Sequence, residues 1–377
     1  MLAPRPMTYC GRCLLPDTRP GIVIDDAGIC SGCHGHEFKE TGIDWPARRK
    51  ALDQVIAEAK SRSRSYDCIV PVSGGKDSWY QVITAMELGL KPLAVTWRTP
   101  ARTAIGQRNI DAMIKKLGVD HIDYTINPDV ERRFMKAAFE RRGDPGLPMH
   151  MAIFTIPTRI AVQMRIPLVI WGENPQLEFG GSDVERLATQ MTQEWFVRHG
   201  CMQGTVADDW IDADLSRQDL AAYQLPADNG FAPRMIFLGA FIKWNSFENT
   251  RISQEHGFVY EQGGARTGTW DFADIDCDFV SLHHYPKWHK FGMSRAFDNL
   301  SVQIREGKIS RDGALKVLCQ VGMQTPHDDI RLFCEFVGKP EGWFFDTCEK
   351  FRNTAIWFKD GNRWKVRDFL IPDFAWE

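Results

Sequence analysis

Apolar and polar positions along this chain change their period several times, and each change marks an element. From Trp45 to Ser63 the residues Ala51, Leu52, Val55, Ile56 and Ala59 fall on one stripe at helical spacing, so a basic amphipathic helix is predicted there. Past Tyr66 the pattern turns into short apolar runs separated by helical stretches. Cys68–Val72, Pro92–Trp97, His121–Ile126 and Pro167–Trp171 read as strands, and Trp79–Leu88, Gly106–Leu117, Glu131–Arg142 and Ile156–Met164 read as helices. Strands joined by helices of this length form a parallel sheet with right-handed crossovers, and ligands gather beyond the carboxyl ends of its strands. The segment ends Val72/Ser73, Thr96/Trp97 and Trp171-Gly172-Glu173 are therefore predicted to border one crevice. Further on, residues 208–222 have helical character, 225–233 read as a loop, and Met235–Phe241 reads as another strand. Ser310 is a good N-cap for a helix through Val321, and the tail from about Asp328 is predicted helical, ending in a Trp-rich segment.

The first strand–helix junction carries the most specific chemistry. Directly behind Cys68–Val72 stand Ser73-Gly74-Gly75-Lys76-Asp77-Ser78. Two adjacent glycines, lacking Cβ, let the backbone turn its N–H groups toward one point. The next helix aims its N-terminal dipole there, and Ser73, Ser78 and Lys76 add hydroxyls and a positive charge, so the turn is built to hold phosphates. Asp77, a carboxylate among these groups, suits a Mg²⁺ ligand or an N-cap. The spacing is not that of a Walker A loop. A plain glycine turn is the alternative, but such a turn needs neither the Lys-Asp pair nor the flanking serines.

The ten cysteines fall into two groups. Cys10-x-x-Cys13 and Cys30-x-x-Cys33 lie sixteen residues apart, in a Gly- and Pro-containing stretch with too few apolar residues for its own core. This is Cys₄ zinc-ribbon spacing, with Gly11 and Gly32 beside the knuckles. Four thiolates leave a tetrahedral ion no open position, so a Zn²⁺ here is expected to be structural; a redox dithiol or a cluster is the alternative. His34 and His36 are close enough to substitute as ligands and are expected to be bystanders. The six scattered cysteines are expected to behave as small core hydrophobes.

The length, 377 residues, allows two or three domains. The formal net charge of −3 offers no global attraction to nucleic acid, which leaves only a local basic patch open to it. There is no eighteen-residue apolar run and no signal-peptide core, so a cytoplasmic protein without membrane insertion is expected. The predicted organisation is a zinc ribbon at 1–40, a linker helix at 41–64, a nucleotide-binding domain at 65–300 and a C-terminal helical region at 301–377.

The turn at 73–78 resembles the PP-loop of ATP pyrophosphatases, Ser-Gly-Gly-x-Asp-Ser, which implies cleavage of ATP between the α and β phosphates and an adenylated intermediate. A wider set of motifs resembles the N-acetyl sugar amidotransferase family of the WbpG/PseA type over nearly the whole chain. These are Tyr9-Cys-x-x-Cys with Pro16-Asp17-Thr18-Arg19-Pro20, Gly28-x-Cys30-x-x-Cys33, Gly172-Glu173-Asn174-Pro175-Gln176 with Glu178-Phe179-Gly180-Gly181, and Lys287-Trp-His-Lys-Phe-Gly292. The resemblance implies an α/β, Rossmann-like fold of the HUP, adenine nucleotide alpha hydrolase-like kind. It also implies a reaction in which ATP activates the N-acetyl carbonyl of a nucleotide-linked diacetamido sugar and ammonia then yields an acetamidino group, in O-antigen or other surface polysaccharide synthesis. An amide is a poor electrophile, so its oxygen must first become a leaving group.

On this reading Val72, Ser73, Gly74, Gly75, Lys76, Asp77 and Ser78, with Gly172, form the ATP site, and Asp77 serves Mg²⁺. Val95 and Trp97 border the adenine or pack in the sheet. Glu173 is expected near Mg²⁺ or the incoming ammonia, with Lys76, Asp77 and Lys290 as further catalytic candidates. Asn174, Glu178, Lys287 and Arg295 are the substrate-binding candidates, Asn174 as an amide partner for sugar hydroxyls; the basic cluster Lys287, Lys290, Arg295 would otherwise be a solvated face. His283, His284 and His289 are expected to serve packing and hydrogen bonding rather than a second metal. No glutaminase motif is present: in His199-Gly200-Cys201-Met202-Gln203-Gly204 the glycines are misplaced for a nucleophile elbow. The family therefore implies a HisH-like glutaminase and a HisF-like ammonia-channel partner. A zinc-ribbon PP-loop tRNA thiolase is the competing reading, opposed by the acidic charge and by the lack of cysteines between Cys68 and Cys201.

Overall fold

The computed structural model describes residues 5–227, 230–372 and 374–376. Two helices, α1 (Ser31–Thr41) and α2 (Trp45–Arg62), lead into the α/β unit, whose elements are β1 (Cys68–Pro71), α3 (Lys76–Glu87), β2 (Pro92–Trp97), α4 (Ala104–Leu117), β3 (Asp120–Tyr124), α5 (Pro128–Arg142), α6 (Leu147–Met164) and β4 (Leu168–Trp171). Short helices α7 (Pro175–Phe179), α8 (Asp183–Arg186) and α9 (Gln193–His199) precede β5 (Arg234–Phe237) and α10 (Ser246–His256). The remainder is α11 (Val280–Phe291), α12 (Arg295–Arg305), α13 (Arg311–Val321), α14 (His327–Val337), α15 (Glu341–Lys350) and the hairpin β6 (Trp357–Asp360) and β7 (Arg363–Val366).

The main sheet has the order β3-β2-β1-β4-β5 and every pairing in it is parallel. β2 and β4 are buried along their whole length, as a sheet covered on both faces requires, whereas edge strand β3 carries Asp120, His121 and Asp123. The order reverses between β1 and β4, whose register is Cys68↔Leu168 and Ile69↔Val169. Chain leaving these two strands diverges to opposite sides and opens a crevice at their carboxyl ends.

Helices begin earlier than periodicity suggests because caps start them. Thr103 accepts from Gly106 N–H ahead of α4, and Asn127 accepts from Asp129 N–H with Pro128 at the first helical position of α5. Three expectations are corrected. Residues 208–222 form two short 3₁₀ turns, Ala207–Trp210 and Asp219–Tyr223, and no α-helix. The strand expected over 235–241 ends at Phe237 in a 3₁₀ turn. The tail is not wholly helical, since Trp357–Val366 make an antiparallel hairpin whose Trp357, with Trp288, Ile356 and Val366, closes a small apolar cluster.

Domain boundaries also move. The ribbon is not separate: Cys10, Cys13, Leu14, Leu15, Ile22, Cys30 and Cys33 share one apolar cluster with Phe297 and Leu300 of α12 and Ala314 and Leu318 of α13. Leu14 N–H donates to Ser301 Oγ at 3.2 Å, and Arg19 pairs with Asp298 at 2.6 Å. A boundary at 300/301 falls inside α12. α2 is more than a linker, since Leu52, Val55, Ile56 and Ala59 belong to the main core. Among the described residues no helix is long and apolar enough to cross a membrane.

Candidate active site

The turn after β1 occupies one side of the crevice. Gly74 has φ +93°, and a Cβ there would lie 2.5 Å from the Gly106 carbonyl oxygen, so only glycine lets the loop lie against the start of α4. Gly75 caps α3. Ser73 N–H donates to Ser78 Oγ at 3.0 Å and Gly75 N–H to Ser73 Oγ at 3.3 Å, so the two serines close the loop on itself. Lys76 is 5% exposed and its Nζ lies 2.6 Å from both carboxylate oxygens of Asp77. In front of the loop lies a cavity of about 210 Å³, lined by Ser73, Gly75, Lys76, Asp77 and Ser78 together with Glu173, Trp270, Asp274, Asp276 and Arg295. The indole N–H of Trp270, buried in its wall, has no hydrogen-bond partner among the described residues.

Glu173 enters from the turn after β4. Burial and the neighbouring Asp77 push its carboxyl up to about 7, against the pull of Lys76. Its turn is held from the ribbon side. α1 lies on α7 so closely that a Cβ on Gly35 would stand 3.0 Å from Leu177 O, and one on Gly32 3.1 Å from Phe179 O. Lys39 of α1, 2% exposed, donates to Glu178 at 2.8 Å and to Trp244 O at 3.1 Å.

Asp274 and Asp276 were missed in the sequence. Asp276 stands beside Ser73, and burial raises its carboxyl against the pull of that hydroxyl. Their sequence signal is alternation: in Asp274-Ile275-Asp276-Cys277 the apolar residues are buried, and the acids between them face the loop.

A second, much larger cavity of about 2320 Å³ shares Glu173, Phe179, Asp274 and Arg295 with the first. Lys287 and Lys290 on α11 and Arg295 at the start of α12 stand in its wall. Arg295 is neutralised by Asp274 at 3.3 Å. The two lysines are different: Lys287 Nζ meets His284 Nδ1 at 3.1 Å and Lys290 Nζ donates to Arg142 O at 2.6 Å, and neither has a carboxylate within ion-pair distance among the described residues. Burial lowers the pKa of both, the mark of cations short of counter-charge.

The four ribbon thiols converge with all sulfurs within 4.8 Å of one another; Cys13 and Cys30 are 3.6 Å apart, Cys10 and Cys33 3.9 Å. A tetrahedral ion with metal–sulfur bonds of about 2.3 Å needs edges of about 3.8 Å, so the donor set fits one. His34 pairs with Asp25 at 2.7 Å and His36 stays outside the cluster, as expected of bystanders.

Several expected site residues lie elsewhere. Trp97 donates its indole N–H to Glu131 at 2.6 Å within the core, and Val95 is 1% exposed; neither lines either cavity. Gly172 and Val72 also lie behind the wall, Gly172 because a Cβ would meet Gln81 Nε2 at 2.8 Å and Val72 because its N–H is bonded to Val95 O. Asn174 is 1% exposed and its amide is consumed locally: Oδ1 accepts from Gln176 N–H, and Nδ2 donates to the carbonyls of Glu185 and Ala188. It anchors α7 and offers nothing to sugar hydroxyls. Glu178 faces the smaller cavity but is tied to Lys39.

These features define an α/β protein with a Ser-Gly-Gly-Lys-Asp-Ser loop behind β1 and a cluster of four thiols. Residues 264–370 match the family model described as the C-terminal domain of WbpG-like LPS biosynthesis proteins, which bears out the resemblance seen in the motifs. No curated protein matches the chain. Among solved structures, NMN synthetase from Francisella tularensis aligns at 12% identity over 59% of this chain and 100% of its own, with a TM-score of 0.27. The NH₃-dependent NAD synthetase from Campylobacter jejuni aligns at 13% identity, 59% and 100% coverage and TM-score 0.29. The U34-tRNA thiolase NcsA from Methanococcus maripaludis, solved with its 4Fe–4S cluster, aligns at 12% identity, 93% and 99% coverage and TM-score 0.34. Likenesses this distant carry no argument about activity.

Proposed function

We propose that the chain is an ATP-dependent amidotransferase converting an N-acetyl group of a nucleotide-linked diacetamido sugar to an acetamidino group. The observation that carries this reading is the junction of the two cavities at Glu173, Asp274 and Arg295. A phosphate-holding loop faces one side, and a chamber large enough for a nucleotide sugar, with two cations short of counter-charge, lies on the other. Lys287 and Lys290 suit the diphosphate or carboxylate of such a substrate. The WbpG-like match covers the segment that supplies both lysines and Arg295.

In this mechanism the acetamido oxygen attacks the α-phosphorus of ATP, the bond to the β-phosphate oxygen breaks, and pyrophosphate leaves. Lys76 and the N–H groups of the Gly74-Gly75 turn hold the departing charge. Asp77, with Asp274 and Asp276 beside it, supplies the carboxylates for Mg²⁺, which when bound would neutralise phosphate charge. Ammonia then adds to the activated carbon and AMP departs, leaving the amidine. Glu173, poised near neutrality at the junction, can accept the proton that the incoming nitrogen loses. The ribbon thiols hold a structural Zn²⁺. Ammonia comes from a separate HisH-like glutaminase through a HisF-like conduit, and the enzyme works in the cytoplasm in surface polysaccharide synthesis.

The test is pyrophosphate release by full-length protein given ATP, Mg²⁺, ammonium and UDP- or CMP-linked diacetamido sugars, with bulk tRNA in parallel. Release with a sugar, and a product in which NH replaces oxygen by mass spectrometry, is the expected result. Release driven by tRNA alone would establish the second reading, a thiolase, which one observation favours: Cys201 faces the large cavity.

A further inference from the structure

The wall of the large cavity holds a second cluster of metal-ligating side chains, far in sequence from the ribbon. His150 on α6, Cys201 just after α9 and His283 on α11 place one ligand atom each within 4.8 Å of the others. The two imidazole rings are 4.6 Å apart. Each ring is fixed from behind through Nδ1. His150 Nδ1 lies 2.7 Å from Gly146 O, and His283 Nδ1 lies 3.0 Å from Asp144 Oδ1. Nε2 of each ring is thereby the nitrogen left for a ligand, and Asp144 behind His283 is the carboxylate partner that metal-bound histidines regularly have.

The backbone is shaped for this meeting. Cys201 and Gln203 both sit at positive φ, 60° and 51°, conformations that side-chain-bearing residues rarely adopt. That turn delivers Cys201 to the histidines and Gln203 to Asp144, whose Oδ2 it approaches to 3.2 Å. Gly146 has no side chain where His283 packs, since a Cβ there would lie 2.8 Å from His283 Cβ.

We propose that His150, Cys201 and His283 bind a zinc-class divalent metal ion, with a fourth coordination position open to the large cavity. Three protein ligands leave a tetrahedral ion one exchangeable position, the pattern of catalytic and not of structural zinc. Thiolate with imidazole selects zinc-like ions over Mg²⁺ or Ca²⁺. The large cavity onto which this position opens is also lined by Lys287 and Lys290, so it would take a small oxygen or nitrogen ligand, such as water, ammonia or a carboxylate of the bound substrate. This site is independent of the reaction proposed above, because metal binding is measured without any substrate.

The experiment is metal content of full-length protein saturated with Zn²⁺ and desalted, compared among wild type, Cys201→Ala, His150→Ala and Asp144→Ala. One more equivalent per chain is expected in the wild type than in Cys201→Ala or His150→Ala, with the ribbon equivalent retained by all. Asp144→Ala should keep the site at about 10–100-fold weaker affinity, read by competition with a chelator. In Co²⁺-substituted protein a thiolate charge-transfer band should be present beyond that of Cys201→Ala. As a check that does not depend on the variants' folding, Zn²⁺ should slow alkylation of Cys201 in the wild type. Equal metal content in wild type and Cys201→Ala, or alkylation of Cys201 at a rate indifferent to Zn²⁺, would overturn the proposal and leave Cys201 a bare nucleophile.

Discussion

Lys76 and Glu131 show how differently two buried ionisable side chains can be used. Lys76 stands in the loop beside Asp77, where phosphate charge would replace the carboxylate as its partner. Lys76→Ala is expected to reduce ATP-dependent pyrophosphate release by about a hundredfold or more with little change in thermal stability, measured by pyrophosphate assay and thermal melting. Among the described residues the Glu131 carboxyl meets only the indole N–H of Trp97, and burial pushes it up to about 8 from an ordinary 4.5. Between those values the folded chain keeps a proton that the unfolded chain has released, so this group makes stability fall as pH rises. The slope is at most about 1.4 kcal/mol per pH unit. Denaturant titrations at pH 5 and pH 8 should show wild type losing more stability than Glu131→Gln, which has no such proton to lose. Asn174 teaches a complementary point. An amide in a motif reads as a ligand for hydroxyls, yet three backbone groups claim it first.

At the scale of elements, the crevice depends on α1 resting on α7. Periodicity could not reveal α1, whose eleven residues include two Gly, two His and one Cys and no apolar stripe; Cys30 caps it and Lys39 ties it to Glu178. Breaking a buried pair by removing one partner costs about 3–5 kcal/mol. Lys39→Met should therefore destabilise the protein by that order, and Lys39→Met/Glu178→Met should recover most of the loss, as measured by denaturant unfolding of a double-mutant cycle. Strands β1, β2 and β4 were legible in sequence because a doubly covered parallel strand is a continuous apolar run. The 180–235 stretch was not, because its 3₁₀ turns are settled by neighbours: Trp210 and Tyr223 pack on Phe134 of α5.

Across the whole molecule, the ribbon, α12 and α13 share one apolar cluster, so the N-terminus is part of the C-terminal structure. A chain beginning at Asp44 would leave Phe297, Leu300 and Leu318 uncovered, and it should unfold at markedly lower denaturant concentration and bind a hydrophobic dye; an unchanged cooperative transition would contradict the shared core. The acids Asp274 and Asp276 and the trio His150, Cys201 and His283 come together only through such long-range packing. By itself the sequence determined the main strands, the Ser73–Ser78 loop, the four-thiol spacing and the WbpG-like motifs, because each is encoded by residues adjacent or regularly spaced in the chain. The tertiary structure alone decided which side chains share a cavity, that Trp97 and Asn174 turn away from it, and that Glu173 stands between two chambers. Those outcomes follow from burial and close packing between distant segments, for which local periodicity carries no signal.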